Sequence, residues 1–200
     1  MSSDEQPLLG RRGSSPKGVA RRLEILDRAI EVFRERGADG TSLRRIAEAI
    51  GVSHAALLHY FDSREQLLVA VYAHAEAQRN AAAGAPPLPG IDSLIAAATA
   101  NVEVPGLVQL YSTLLAASLE SGSETGKEYF SSRFERIRTR LTADLRAQQQ
   151  DGTVRDDVPA DHLAALIIAA SDGLQIQWLL EPSVELENTL RTMADLIKPV

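Results

Sequence analysis

Ser42 to Phe61 reads SLRRIAEAIGVSHAALLHYF. Ile46, Ala47 and Ile50 recur at helical spacing, Gly51 stops that helix, and Ser53 is placed to cap a second one beginning near His54. Two short helices joined by so tight a turn make a helix-turn-helix unit. Leu57 and Phe61 lie four apart and share the inward face of the second helix, with Val52 closing the corner beneath them. Ala55 and His59 point the other way. A short helix packed on one side, and carrying small and hydrogen-bonding side chains on the other, has a shape that the major groove of DNA admits.

The flanks fit this centre. In Val19–Arg36 the apolar set Leu26, Ala29, Ile30 and Phe33 falls at i, i+3, i+4 and i+7, which predicts a helix with one buried stripe, ended by Gly37. Arg21 and Arg22 stand near its start, where basic side chains oppose the helix dipole; either phosphate contact or solvated surface charge would account for them. Residues 1–18 are polar, carry Pro7, Gly10, Gly13 and Pro16, and show no helical period. They read as a flexible arm made basic by Arg11, Arg12 and Lys17, either following the duplex or simply a disordered start. Ser42 is the expected cap of the next helix and sets Arg44 and Arg45 on its first turn, within reach of a guanine edge or a phosphate. After Phe61, Asp62 and Ser63 offer caps for a helix from Arg64 to about Ala82 through Leu67, Leu68, Val71, Tyr72 and Ala75.

The run Ser42, Ile46, Ala47, Gly51, Val52, Ser53, Leu57, Tyr60, Phe61, Ser63, Arg64, Glu65 and Leu67 resembles the amino-terminal pattern of the tetracycline-repressor (TetR) family of transcriptional regulators. Leu58 and Ala55 depart from it: the family usually has a phosphate-contacting Tyr at the first position and commonly Gly or Pro at the second. The resemblance implies a frequent DNA-contact position at Arg44 and a phosphate-binding one at Arg64. Together with the outward and flanking surface of the second helix, it yields the candidate DNA-binding set Arg44, Ser53, His54, Ala55, Ala56, His59, Tyr60 and Arg64. His54 and His59 either contact bases or are merely exposed; alanine methyls can touch thymine methyls, and the Tyr60 hydroxyl can reach a phosphate.

Further along, AGAPPLPG at residues 83–90 is the clearest break in the chain. Helices are expected over Ile91–Val102, Pro105–Leu119, Thr125–Gln149, Ala160–Leu180 and Val184–Ile197, giving an all-α chain of about nine helices. The organisation expected is an arm over 1–18, a DNA-binding domain over 19–65, and an effector-binding and dimerisation domain over 66–200. The last two helices have more apolar surface than one small domain needs, which a dimeric four-helix bundle would bury. Candidates for that interface are Leu163, Leu166, Ile167, Ala170, Leu174, Trp178, Leu190 and Met193, and DGLQIQWLLEP (residues 172–182) also resembles the dimerisation helix of TetR-family members. By the same resemblance an effector pocket lies among Leu107, Tyr111, Leu114, Phe130 and Phe134, residues that are otherwise plain core.

Composition bounds the rest. The 200 residues are 44% hydrophobic and only 4% aromatic, so the core is built from aliphatic side chains, which suits helices. There is no Cys, hence no disulfide and no thiolate metal site. The net charge of −6 is unevenly spread: residues 11–65 hold 11 basic and 8 acidic side chains, a local excess of +3, while residues 66–200 hold 10 and 17, or −7. The positive charge sits at the amino-terminal end, where binding to a polyanion needs it. No P-loop, G-x-S-x-G or dinucleotide turn is present, and no catalytic residue, metal or cofactor is assigned; His74 and His162 are isolated in the sequence. The longest apolar run, Leu163–Ala170, is too short to span a bilayer, and a cytoplasmic protein without a membrane partner is expected.

The function expected is a sequence-specific DNA-binding regulator. It would be a homodimeric repressor released from a palindromic double-stranded operator by a mostly apolar small molecule. A helical ligand-binding or scaffold dimer that has lost operator binding is the alternative, and an enzyme is a remote one.

Overall fold

A computed structural model describes residues 15–36, 43–82, 88–120 and 122–199. The described elements are helices: α1 (Pro16–Arg36), α2 (Leu43–Ile50), α3 (His54–Tyr60), α4 (Arg64–Ala82), α5 (Ile91–Val102), α6 (Pro105–Ser118), α7 (Glu124–Gln150), α8 (Ala160–Leu180) and α9 (Leu186–Leu196). The all-α fold expected from the sequence is the fold observed. Boundaries agree within about three residues, the usual scatter at fraying ends. The largest departure is α1, which starts at Pro16 rather than Val19. Ser15 caps it, accepting the Gly18 N–H (3.2 Å), and Pro16 takes the first helical position, where its missing N–H costs nothing. The expected cap Ser42, the expected stop Gly37, residues 1–14 of the arm and most of the Pro/Gly break lie outside the described residues.

The chain forms two compact units, Met1–Gly84 with Gln109–Lys127, and Ala85–Val108 with Glu128–Val200. In the first, α1 packs on α2 and α4, and α2 on α3. Ile25, Leu26, Ala29, Ile30 and Phe33 of α1 are buried with Ile46, Ala47 and Ile50 of α2, Leu57 and Phe61, and Leu67, Leu68 and Val71 of α4. By packing, α4 thus belongs with α1–α3. His74 Nε2 of α4 lies 2.7 Å from Asp27 Oδ1 of α1, to which Gln78 Nε2 also donates (2.6 Å), so this histidine is an interhelical tie.

The start of α7 is fastened to α4 within the same unit. The Glu65 carboxylate accepts from the Ser123 hydroxyl and from the Gly126 N–H (2.8 Å), occupying the electropositive first turn of α7. Gly126 lets the carboxylate come close, since a Cβ there would lie 2.6 Å from Glu65 Oε1 and 2.8 Å from Ser123 Oγ and would make those side chains shift.

In the second unit, α8 packs against α5 and α9, and α5 against α9. Its core holds Ile91, Ile95 and Ala98 of α5, Leu141 and Leu145 of α7, Leu163, Ala164, Ile167 and Ile168 of α8, and Leu186 and Leu190 of α9. A partly buried polar bridge joins α5 to α8: Asn101 Nδ2 donates to Gln175 Oε1 (2.6 Å), and Gln175 Nε2 to the Ser171 carbonyl (3.1 Å). Helix α8, 21 residues long with an 18-residue stretch of mean hydropathy 1.5, is long and apolar enough by composition to cross a membrane, although its longest uninterrupted apolar run is not. Its inward face is instead committed to this core, with Ser171 and Gln175 buried among the apolar residues.

Loss of the Glu65 carboxylate leaves two donors at the start of α7 without their acceptor. Glu65→Ala is expected to lower unfolding free energy by about 1–3 kcal/mol in urea titration, and Glu65→Gln, which keeps an accepting oxygen, to recover most of it. Two variants as stable as the parent would show that the contact contributes nothing.

Candidate nucleic-acid interface

The corner between α2 and α3 is made by the backbone. Gly51 has φ +70°, its N–H donates to the Glu48 carbonyl (3.2 Å), and the Val52 N–H reaches back to the Ala47 carbonyl (2.9 Å). These two bonds form a Schellman motif, and the space around Gly51 is open, so the left-handed backbone angle alone calls for glycine. Ser53 then starts α3, its Oγ accepting the Ala56 N–H at 3.0 Å.

One turn fixes the orientation of α3. Leu57 and Phe61 are each 1% exposed, and Leu57 is the buried residue of the helix. Beneath them lies Arg22 of α1, itself buried. Its guanidinium carbon sits 4.5 Å from the centre of the Phe61 ring, and Nη1 donates to the Tyr60 carbonyl at the end of α3 (3.1 Å). Burial pushes the pKa of this guanidinium below its ordinary value, with Asp62 opposing the shift. Arg22 is therefore neither the solvated charge nor the phosphate contact open to it from sequence. It is a positioning residue that ties the end of α3 to α1. The signal was present, because Arg22 stands four residues before Leu26, in register with the buried stripe.

With the anchor below, His54, Ala55, Leu58 and His59 are exposed, while Ala56 and Tyr60 are partly covered. His59 and Tyr60 meet edge to face, with ring centres 5.2 Å apart. Arg44 and Arg45 are exposed on α2; Arg44 pairs with Glu48 one turn on (3.0 Å), a solvent-facing contact that yields readily to a phosphate. Arg64 is exposed at the start of α4, whose first turn is capped on both sides. Ser63 Oγ accepts the Gln66 N–H (3.0 Å) and Gln66 Oε1 accepts the Asp62 N–H (2.7 Å).

Residues 25–71 match the family described as bacterial regulatory proteins, tetR family, and residues 96–198 match the BetI-type transcriptional repressor C-terminal domain. The HTH-type transcriptional repressor Rv1474c of Mycobacterium tuberculosis is 32% identical over 158 residues, 78% of this chain and 81% of that protein. The chain belongs to the TetR family. It is thus a helix-turn-helix transcriptional regulator. The HTH-type transcriptional repressor KstR2 of Rhodococcus jostii is 46% identical, but over 48 residues, 24% of either chain. Solved structures share the fold: a TetR-family regulator from Rhodococcus sp. superposes with a TM-score of 0.71 at 20% identity, covering 89% of this chain and 98% of its own. A regulator from Saccharomonospora viridis in complex with choline gives 0.67 at 19%, covering 89% and 95%. FadR of Bacillus subtilis, in complex with stearoyl-CoA, gives 0.61 at 17%, covering 87% and 96%.

The remaining candidates of this TetR-family chain divide by packing. Of the interface candidates on α8 and α9, Leu163, Ile167 and Leu190 are at most 4% exposed within the protomer's own core, so they have no surface to offer a partner. Ala170, Leu174, Trp178 and Met193 are partly covered, and Leu166 is exposed at 56%. Sequence reading missed Ile176 and Leu180, which are exposed on the same helix, and Leu196 on α9. Of the pocket candidates, Tyr111 and Leu114 are buried in the first unit, the former against Tyr72 with ring centres 5.2 Å apart. Phe130 is buried in the second unit, where Leu107 and Phe134 are partly covered.

Replacing Arg22 by Met keeps the aliphatic stem but removes the hydrogen bond and the ring contact. Arg22→Met is expected to lower stability by about 1–2 kcal/mol in denaturant titration. An unchanged midpoint would remove Arg22 from the support of α3.

Proposed function

We propose that this chain is a dimeric repressor that occupies a two-fold operator and leaves it when a small, largely apolar molecule binds. The observation that carries the reading is the exposure of His54, Ala55 and His59 on a helix whose other side is anchored by Leu57, Phe61 and Arg22. The anchored side gives α3 one fixed orientation. The free side can then enter a major groove, with imidazole nitrogens for base edges and methyls for thymine. Arg44, Arg64 and the Tyr60 hydroxyl take phosphates and set the register, and the Ser53 hydroxyl, while capping α3, keeps a proton to donate. Such contacts position a protein in the cytoplasm, where the chromosome is.

Repression rather than activation is supported by the names of the relatives, which are described as repressors. Dimerisation is supported by the apolar face of α8 at Leu166, Ile176 and Leu180, large side chains left in water by the protomer. A second copy presents two recognition helices to grooves about 34 Å apart along one side of a duplex. The neighbours holding choline and stearoyl-CoA support a small-molecule effector for this chain as well. The effector releases the operator only by binding the released form more tightly than the bound one. Glu65 follows Arg64 directly and accepts from the first turn of α7, so a shift of that turn has a short route to the residue that takes a phosphate in this reading.

In a salt-titrated gel-shift assay against DNA flanking its own coding region, the protein is expected to bind selectively, with affinity falling steeply as salt rises. Arg44→Ala and His59→Ala are each expected to weaken that binding about five- to a hundredfold, the range of a lost base or phosphate contact, with the dimer intact. Weak binding indifferent to sequence would favour the scaffold reading. For the interface, Leu166→Glu places a charge on the exposed face of α8 and is expected to yield monomers in sedimentation; a persisting dimer would move the interface elsewhere.

A further inference from the structure

The outward face of α3 has an order of its own. At 100° per residue from the buried Leu57, the exposed side chains fall in the sequence His54, Leu58, Ala55, His59 around the helix. Ala55 and Leu58 are three apart and therefore neighbours, so an aliphatic pair occupies the middle of the face and an imidazole stands on each side. Leu58 is 43% exposed on a seven-residue helix whose fixed orientation leaves its side chain in solvent. An aliphatic group neither donates nor accepts a hydrogen bond. The one base-edge feature of the major groove that it recognises is the C5 methyl of thymine.

We propose that Leu58, backed by Ala55, is a specificity-determining residue that reads a thymine methyl at the centre of each operator half-site. This rests on the DNA-binding reading above. Contact would take Leu58 out of water and bury the methyl against it, a gain available only where the base carries that methyl. Cytosine at the same step, with its amino donor and no methyl, leaves Leu58 against a polar edge and is rejected.

The test uses the full-length protein and its own selected duplex. Binding sites are enriched from a random-sequence duplex pool, and the consensus is remade with deoxyuridine in place of each thymine in turn, which removes one methyl and nothing else. The parent is expected to lose roughly three- to tenfold in affinity at one thymine or more per half-site, the size of a buried methyl contact. Leu58→Ala leaves the fold intact because the side chain is exposed, which a thermal melt verifies. It is expected to bind the thymine duplex more weakly by a similar factor and to show a thymine-to-uracil ratio near one at that position. The inference is overturned if no uracil substitution changes parental affinity, or if the thymine preference survives unchanged in Leu58→Ala. Failure to enrich any consensus with the parent removes the DNA-binding reading and this inference with it, an outcome distinct from a consensus bound without regard to methyls.

Discussion

The placement of α3 centres on one buried cluster, in which the Arg22 guanidinium lies against the ring of Phe61 and Leu57 is buried with them. Helix α3 is seven residues long and could not hold itself folded in water, let alone hold a direction. Its direction is imposed by three neighbouring constraints. The Gly51 corner fixes where it starts, Leu57 and Phe61 fix which side faces in, and the Arg22 hydrogen bond to the Tyr60 carbonyl fixes where it ends. A guanidinium is an unusual choice for such a place, since burying it is costly. The cost is offset by the ring face, by the carbonyl it satisfies and by Asp62 nearby.

From that anchor the contacts run outward in two directions. Toward solvent, everything on α3 that is not used for packing is small, aliphatic or imidazole, so the exposed face carries shape and hydrogen bonding with little charge of its own. Charge is supplied from neighbouring elements, by Arg44 and Arg45 on α2 and Arg64 on α4. In the DNA-binding reading proposed above, this division separates reading from holding, because base contacts discriminate sequence while phosphate contacts supply salt-sensitive affinity. Toward the protein interior, α4 begins three residues after Phe61, with capping by Ser63 and Gln66 and with Glu65 locked onto the first turn of α7. A short stretch of chain thus joins the exposed face of α3 to the first turn of α7.

Much of this was legible in the sequence, and for physical reasons. Helix existence followed from apolar periodicity, and the corner from a glycine placed after the last periodic residue with a serine two positions on; both are local properties. The outward face of α3 was legible because a seven-residue helix has room for one buried stripe only. The depth of each contact was not legible. Arg22 lies in register with the apolar stripe of α1, yet composition assigns an arginine to solvent, and only the partner 39 positions away in sequence, Phe61, shows otherwise. The same limit applied on α8, where Leu163 and Leu166 read alike as apolar, but the first is buried in its own protomer and the second is exposed. Long-range packing separates them, and a single sequence does not encode it at either residue alone.

The central claim is that the anchored α3 enters the major groove, and dimethyl sulfate probing of the selected duplex tests it most directly. The reagent methylates guanine N7 in the major groove and adenine N3 in the minor groove. The account predicts protection of guanine N7 in two patches on one side of the duplex, their centres about 34 Å apart, with adenine N3 in those patches still reactive. Protection of adenine N3 there with guanine N7 left open would place the protein in the other groove and contradict the account.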